Sequence, residues 1–165
     1  TKQGEQALVS ASLETLNGCK RVLDLFSGCG TFSLPLAQIA EVHAVETLPD
    51  MLSALSDAWR KALGVKELTT EARDLFYRPL LLDELKRYDG VVIDPPRAGA
   101  LEQSKILAKS NINKISFISC NPATFARDAK ILINGGYALD WIQVVDQFRW
   151  SSHVELVAQF TLARG

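Results

Sequence analysis

Short apolar runs alternate along this chain with longer segments in which apolar residues recur every three or four positions. The runs are typical of buried strands, and the longer segments are typical of helices that cover a sheet. After a lead-in helix over residues 1–16, the pattern predicts strands over residues 21–26, 42–46, 67–72, 90–93 and 114–119. It predicts helices over residues 31–40, 49–63, 79–87, 101–110 and 122–134.

The end of the chain breaks this alternation, because two β-rich runs over residues 137–145 and 154–162 have no helix between them. We expect them to pair as an antiparallel hairpin. Strands that alternate with helices form a parallel sheet covered on both faces. The predicted fold is therefore α/β, with a mostly parallel seven-stranded sheet that ends in an antiparallel hairpin.

Composition adds few constraints. A chain of 165 residues, 47% hydrophobic and 22% charged, is typical of one globular domain, and we expect one domain over residues 1–165. No run approaches the eighteen or so apolar residues that span a bilayer, so we expect a cytoplasmic protein without membrane contact. The net charge of −1 gives no electrostatic indication of a nucleic-acid partner. Because the chain begins at Thr1 inside a predicted helix, we interpret it as a fragment of a longer protein.

A glycine loop follows the first predicted strand. In open α/β sheets this turn is the usual ligand site, since glycines let the backbone approach the ligand. Gly28 and Gly30 lie in this loop, and Asp24 precedes them. Glu46 ends the next strand, where its carboxylate can accept hydrogen bonds from the ribose hydroxyls of a nucleoside. A dinucleotide is the alternative ligand, but its fingerprint requires a glycine where this chain has Ser33. An acidic cleft better suits S-adenosylmethionine, which carries a sulfonium and an amino group.

Two more acids follow successive strands. Asp74 comes after the third strand, and Asp94 comes after the fourth. Asp74 could contribute to the ligand site or, as the alternative, cap a helix. Asp94 opens the sequence Asp-Pro-Pro-Arg, whose consecutive prolines stiffen the loop. In amino-group methyltransferases an aromatic residue would follow the prolines, and Arg97 in that place disfavours this activity.

Cys120 lies between the fifth strand and a predicted helix with Pro122 in its first turn. The partial positive charge at a helix N-terminus favours the reactive thiolate form. We interpret the other two cysteines, Cys19 and Cys29, as small packed hydrophobic residues. The three cysteines form no C-x-x-C pair, so we expect neither a zinc site nor any other metal in this fragment.

Glu155 begins the last predicted strand among apolar residues. Partial desolvation would raise its pKa towards values that suit proton abstraction. The alternative is an outward-facing strand residue without a chemical role.

Taken together, the motifs DLFSGCGTFSLPLA, VVIDPPRAG, SCNPATFARD and HVE resemble the RNA uracil-5-methyltransferase family. This family makes 5-methyluridine in transfer and ribosomal RNA, and of the two we expect ribosomal RNA. The resemblance implies a class I, Rossmann-like methyltransferase fold with S-adenosylmethionine as cofactor. It also implies that Cys120 adds to C6 of the uracil, which activates C5, and that Glu155 then removes the C5 proton.

The resemblance assigns further residues to the cofactor and the substrate. It implies cofactor contacts by Phe26, Thr31, Glu46, Asp74 and Asp94, to which the loop itself adds Asp24, Gly28 and Gly30. We expect substrate contacts from Asp94, Pro95, Arg97 and His153.

Parts of the family pattern differ or lie outside this sequence. Arg149 and Trp150 stand where family members usually have a proline after the Phe. A Phe-x-Gln motif, an RNA-binding barrel and, in some members, an iron–sulfur cluster precede the catalytic domain in the family. We expect these only upstream of Thr1.

Two alternatives stay open. A cytosine-5-methyltransferase uses the same cysteine chemistry, but it is expected to carry Pro-Cys where this chain has Ser119 before Cys120. A nucleotide-binding RNA module without catalysis would bind the cofactor without turnover.

Overall fold

The structure is a computed structural model that describes residues 2–146 and 154–163. Six helices and seven strands are present in this part of the chain. The helices are α1 Lys2–Leu16, α2 Ser33–Leu36, α3 Pro49–Lys61, α4 Leu82–Leu85, α5 Leu101–Leu107 and α6 Pro122–Asn134. The strands are β1 Arg21–Leu25, β2 Glu41–Glu46, β3 Leu68–Ala72, β4 Gly90–Ile93, β5 Lys114–Ser119, β6 Tyr137–Asp146 and β7 Val154–Leu162.

The strands form one sheet in the order β3-β2-β1-β4-β5-β7-β6. The first five strands are parallel, and β7 lies antiparallel between β5 and β6. The first strand, β1, therefore lies in the middle of the sheet. From β1 the chain runs outward through β2 to the edge strand β3, and then returns to β4 on the other side of β1, from which the second half of the sheet continues. The mixed sheet and the terminal hairpin confirm the predicted architecture.

Two apolar cores cover the two faces of the sheet. Helices α1, α2 and α3 contribute Leu8, Leu36 and Leu55 to one core, which we call the α1-side core. Helices α4, α5 and α6 contribute the apolar residues of the other, the α6-side core, including Leu85, Leu107 and Leu132. Helix coverage on both faces explains why the central strands β1, β4 and β5 are buried along nearly their whole length, whereas β2 and β3 towards the edge carry more polar residues.

Four helices are shorter than their sequence pattern predicts: α3 and α5 end two and three residues early, and two others lose more than half of their length. The segment predicted as a helix over residues 31–40 is regular only in α2, because Pro35 has no N–H to donate and i→i−3 bonds such as Gln38 N to Pro35 O close the next turn. The predicted helix over residues 79–87 is regular only in α4. There Leu80 N donates to Gln103 Oε1 at 2.9 Å, and Gln103 Nε2 donates to Leu80 O at 3.1 Å. These two hydrogen bonds hold Leu80 outside the helix.

Every helix in residues 2–146 is too short or too polar to span a lipid bilayer, and residues 154–163 contain none.

Candidate active site

Three acidic side chains face the same side of the sheet near the carboxyl ends of central strands. Two residues before each acid, Val22, Ala44 and Val92 pack in the α1-side core. The intervening Leu23, Val45 and Ile93 pack in the α6-side core. Because strand side chains alternate between faces, Asp24, Glu46 and Asp94 all lie on the α1 side. The structure thus brings these predicted site residues to one edge and one face.

The glycine loop is tied to the end of β2. Ser27 N donates to Val45 O at 3.1 Å, and Gly28 N donates to the Glu46 carboxylate at 2.9 Å. The other Glu46 oxygen accepts from Thr47 N at 2.7 Å. The Glu46 side chain therefore fixes the position of the loop and keeps lone pairs for a hydroxyl-bearing ligand.

Backbone conformations in this loop are unusual. Gly28 and Gly30 have positive φ angles of 56° and 98°, and Phe26 has a φ of 62°. A bulky residue in this left-handed region is a conformational outlier, and such outliers concentrate at functional sites. Thr31 lies half-buried in the turn that follows.

Asp24 lies beneath the loop, fully buried. Ser33 Oγ donates to one carboxyl oxygen of Asp24 at 2.5 Å, whereas the other oxygen is buried with no hydrogen-bond partner among the described residues. Burial raises the pKa of Asp24 to about 7, and the nearby carboxylates of Asp94 and Glu46 add to this effect. Ser33 stands where the dinucleotide fingerprint has a glycine, and its contact with Asp24 was not predicted from the sequence.

Asp74 stabilises the turn after β3. Its side chain accepts from Phe76 N at 2.9 Å, and its carbonyl accepts from Arg78 N at 2.8 Å. This is close to the capping role that the sequence offered as an alternative, although here the carboxylate caps a turn rather than a helix.

An apolar cleft of about 150 Å³ opens beside this turn. The Phe26 and Phe76 rings, 5.5 Å apart between centroids, form part of its lining. Leu75 and residues 98–103 complete the lining. A cleft lined by two contacting aromatic rings and small apolar groups can bind a flat, weakly polar ring.

Glu155 lies on β7, and Cys120 directly follows the neighbouring strand β5, at the same edge as the acids. Ser119 pairs with Leu156 in the antiparallel β5–β7 ladder, so the next step of that register sets Cys120 across from Glu155. Both residues lie two positions from side chains in the α1-side core, which are Ile118 and Val157 respectively. By alternation they share the face of the three acids.

Asp94 lies close enough to Glu155 for their charges to interact. Burial raises the pKa of Asp94 to about 7, and the negative charge of Glu155 contributes to the increase. Sequence spacing could not predict this pairing, since the two residues are 61 positions apart.

Cys120 is half-buried and stands one residue before the N-cap of α6. Asn121 is the cap, and its side chain accepts from Ala123 N at 3.1 Å. The predicted position of Cys120 between the fifth strand and the following helix is confirmed.

The Asp-Pro-Pro-Arg loop lies against the start of α6. Asn121 Nδ2 and Thr124 Oγ1 both donate to the carbonyl of Arg97, at 2.9 and 3.0 Å. Pro95 is buried, whereas the Arg97 side chain is exposed. Two motifs that are separate in the sequence therefore form one unit in the structure.

The remaining cysteines differ from each other. Cys19 is buried in the α1-side core, where burial raises its pKa to about 11, as expected for a packed residue. The interpretation of Cys29 as a packed residue is wrong, because its side chain is exposed in the glycine loop, whose path is set by backbone bonds rather than by side-chain packing.

Predicted contacts by His153, and the departures at Arg149 and Trp150, lie outside the described residues. Within the described ranges, no cluster of three or more His, Cys, Asp or Glu side chains has the arrangement of a metal site.

Comparison with models of protein families matches residues 5–161 to the family described as tRNA (uracil-5-)-methyltransferase. The match includes the glycine loop, the Asp-Pro-Pro-Arg loop, Cys120 and Glu155. The chain belongs to this family. The membership confirms the resemblance that the four motifs indicated.

Curated RNA methyltransferases are similar along nearly the whole chain. An uncharacterized RNA methyltransferase of Agrobacterium fabrum is 53% identical over 158 residues, which are 96% of this chain and 38% of that protein. The 23S rRNA (uracil(1939)-C(5))-methyltransferase RlmD of a Shewanella species is 38% identical, over 98% of this chain and 36% of that protein. The chain thus spans well under half of the length of these relatives.

A solved structure from the family has the same fold. The Pyrococcus abyssi tRNA (uracil-54, C5)-methyltransferase, crystallised with S-adenosyl-L-homocysteine, matches with a TM-score of 0.80 and 32% identity. The match covers 96% of this chain and 38% of that one. The fold is the class I methyltransferase fold that the resemblance predicted.

Proposed function

We propose that this chain is the catalytic domain of an S-adenosylmethionine-dependent enzyme that methylates C5 of a uridine in structured RNA. The observation that best supports the proposal is the β5–β7 register, which brings a cysteine and a carboxylate together beside Asp94. A nucleophile and a separate base on one face of a cofactor-binding sheet are what this reaction requires.

Residues at the carboxyl edge of the sheet, on both of its faces, fit S-adenosylmethionine. Glu46 provides a carboxylate for the ribose hydroxyls, and the buried Asp24, one of whose oxygens has no partner among the described residues, provides an acidic group beneath the loop that favours the positively charged amino group. The cleft lined by Phe26 and Phe76 suits the adenine ring, beside the turn that Asp74 stabilises. Gly28, Gly30 and Thr31 would border the cofactor along the loop. When bound, the cofactor supplies an electrophilic methyl group on its sulfonium.

Cys120 is proposed to act first. C5 of uracil is too weak a nucleophile to accept a methyl group unaided. The Cys120 thiolate adds to C6, forming a C–S bond and moving the electron pair of the C5–C6 double bond into an enolate, which makes C5 nucleophilic. The nucleophilic C5 then bonds to the methyl group that the cofactor would supply, and the methyl–sulfur bond breaks with its electron pair left on the sulfur of S-adenosylhomocysteine.

Glu155 is proposed to act second. After methylation C5 carries both a methyl group and a hydrogen. The Glu155 carboxylate removes that proton, the C5–C6 double bond forms again, and the Cys120 thiolate leaves C6. No electrons are gained or lost in this sequence of steps, and the proton ends on Glu155.

Asp94, Pro95, Arg97 and His153 are proposed to hold the uracil. With a pKa of about 7, Asp94 is partly protonated at neutral pH, so it can donate a hydrogen bond to a base carbonyl or accept one from a ring N–H. The stiff Pro95–Pro96 pair keeps Asp94 and Arg97 in a fixed relation.

For the RNA target we propose ribosomal rather than transfer RNA, and with it a cytoplasmic location. The support is the higher identity with the Shewanella 23S rRNA enzyme, 38% against 32% for the archaeal tRNA enzyme. Full-length protein incubated with 23S rRNA and tRNA transcripts in separate reactions tests this choice. We expect methyl transfer to rRNA, and transfer to tRNA alone would overturn it.

Trapping tests the reaction itself. RNA with 5-fluorouridine at the target has fluorine where Glu155 would remove a proton, so the cysteine cannot leave after methylation. We expect the full-length protein to form a stable covalent complex with this RNA, and Cys120→Ala to form none while still binding cofactor. Cofactor binding without any adduct or turnover in the unaltered protein would favour the non-catalytic module.

A further inference from the structure

Four side chains of the α6 region hold the main chain of the Asp-Pro-Pro-Arg loop. Besides the bonds from Asn121 and Thr124 to the Arg97 carbonyl, Arg127 Nη2 donates to Ala98 O at 3.0 Å. Ala100 N donates to an Asp128 carboxyl oxygen at 2.7 Å. We call these four side chains, Asn121, Thr124, Arg127 and Asp128, the α6 clamp. All four bonds go to backbone atoms, so the clamp fixes the path of the loop.

Asp128 is the buried centre of the clamp. It is fully buried, and its second oxygen accepts from Arg127 Nε at 2.9 Å. Taking a carboxylate out of water is costly unless each oxygen has a strong donor. One donor to Asp128, Arg127 Nε, belongs to the clamp, and the other, Ala100 N, belongs to the loop that the clamp holds. The Asp128 carboxylate therefore has both of its donors only when the loop is docked against α6.

Gly99 shows how closely the loop fits against the clamp. A Cβ atom on Gly99 would lie 2.6 Å from Arg127 Nη2, 2.7 Å from Asp128 Oδ2 and 3.0 Å from Thr124 Cβ. The loop has no room for a side chain at this position.

The clamp connects two parts of the proposed site. Residues 98–100 line the apolar cleft proposed for adenine, and Cys120 directly precedes Asn121 of the clamp. The clamp therefore spans from the wall of the cofactor cleft to the segment that carries the proposed nucleophile.

We propose that the α6 clamp is a set of positioning residues that fixes the Cys120 segment relative to the cofactor cleft, so that the uracil is attacked by the thiolate beside the methyl donor. The inference rests on the proposed function for its kinetic consequence. Its structural consequence is that a ligand bound in the cleft also stabilises the start of α6, and this can be measured without any methyl transfer.

Thr124 allows a matched kinetic test. In the full-length protein, Thr124→Val removes the hydroxyl and keeps the branched shape, whereas Thr124→Ser keeps the hydroxyl. We expect Thr124→Val to slow single-turnover adduct formation with 5-fluorouridine RNA about tenfold, with the Kd for S-adenosylhomocysteine unchanged within twofold, and Thr124→Ser to restore the rate within twofold. Equal adduct rates for Thr124→Val and the unaltered protein, at a temperature where both are fully folded, would overturn the proposal.

Hydrogen exchange gives a second readout that does not depend on methylation. S-adenosylhomocysteine should slow amide exchange both in residues 97–103 and in residues 121–128 of the unaltered protein. In Asp128→Asn, which can still accept from Ala100 N but loses its charge, we expect slowing in residues 97–103 alone. Protection of both segments in the variant, or of residues 97–103 alone in the unaltered protein, contradicts the clamp. Absence of an adduct in the unaltered protein with the expected exchange pattern would refute the proposed reaction and leave the clamp supported.

Discussion

At the scale of single residues, Asp24 is a carboxyl group that folding removes completely from water. An aspartate in water titrates near 4, and burial raises the pKa of Asp24 to about 7. The folded state therefore binds the Asp24 proton more tightly than the unfolded state does. The resulting destabilisation is absent below pH 4, grows between pH 4 and 7, and is constant above pH 7.

Replacing Asp24 by Asn should remove this pH-dependent destabilisation of the folded state. Because Asn does not titrate, the free energy of unfolding of Asp24→Asn relative to the unaltered protein should rise between pH 4.5 and 8, by at most about 4 kcal/mol. Urea unfolding at the two pH values measures the difference. Ser33→Ala, which removes the hydroxyl that lowers the Asp24 pKa, should make the unaltered Asp24 more costly at pH 8. A stability difference independent of pH would show that Asp24 has an ordinary pKa.

Phe26 is the second unusual residue, because its φ of 62° is costly for any residue with a Cβ atom. At positions with an ordinary negative φ, a glycine variant of a protein is less stable to unfolding than the alanine variant. At position 26 we expect the opposite, with Phe26→Gly more stable than Phe26→Ala by about 1 kcal/mol in urea unfolding. Both variants lose the contact with the Phe76 ring and should bind cofactor weakly. An alanine variant at least as stable as the glycine variant would contradict the strained backbone.

At the scale of elements, the sequence pattern predicted all seven strands to within about one residue, because buried strand positions leave a direct trace in the sequence. The helices at residues 31–40 and 79–87 were predicted too long. Their limits depend on Pro35 and on the distant Gln103 side chain, and spacing rules carry no information about such a tertiary contact.

The fit between the loop and α6 can be measured with two glycines. Gly99 and Gly64 both have positive φ angles, 76° and 70°, but a Cβ on Gly64 would meet no atom within 4 Å. Gly64→Ala should therefore cost about 1 kcal/mol in the free energy of unfolding, from the backbone alone. Gly99→Ala should cost about 3 kcal/mol, since its methyl group also displaces Arg127 or Asp128. Equal costs for the two variants would mean that the loop is not tightly docked.

At the scale of the whole molecule, the candidate site combines residues that the sequence separates widely. Strand ends alone predicted Asp24, Glu46, Asp94 and Cys120 at one edge, since the carboxyl ends of parallel strands meet there. The position of Glu155 across from Cys120 depends on the antiparallel return of β7 beside β5, which a local pattern does not specify.

The α6 clamp also escaped prediction. Its members donate to, or accept from, main-chain atoms of a loop 24 to 29 residues earlier in the chain. The sequence shows which side chains can form hydrogen bonds, but backbone partners carry no residue-specific signal. The same reasoning applies to Cys29, whose exposure follows from the path of the glycine loop.

The order of action of Cys120 and Glu155 is the central claim, and the Glu155→Gln variant tests it most directly. The full-length variant is incubated with S-adenosylmethionine and ordinary uridine-containing RNA, digested, and its peptides are measured by mass spectrometry. We predict that a methylated RNA adduct accumulates on the peptide that contains Cys120, because without the carboxylate the C5 proton stays and the thiolate cannot leave. Release of methylated RNA at the unaltered rate without an adduct, or an adduct on Cys29 instead, would contradict the account.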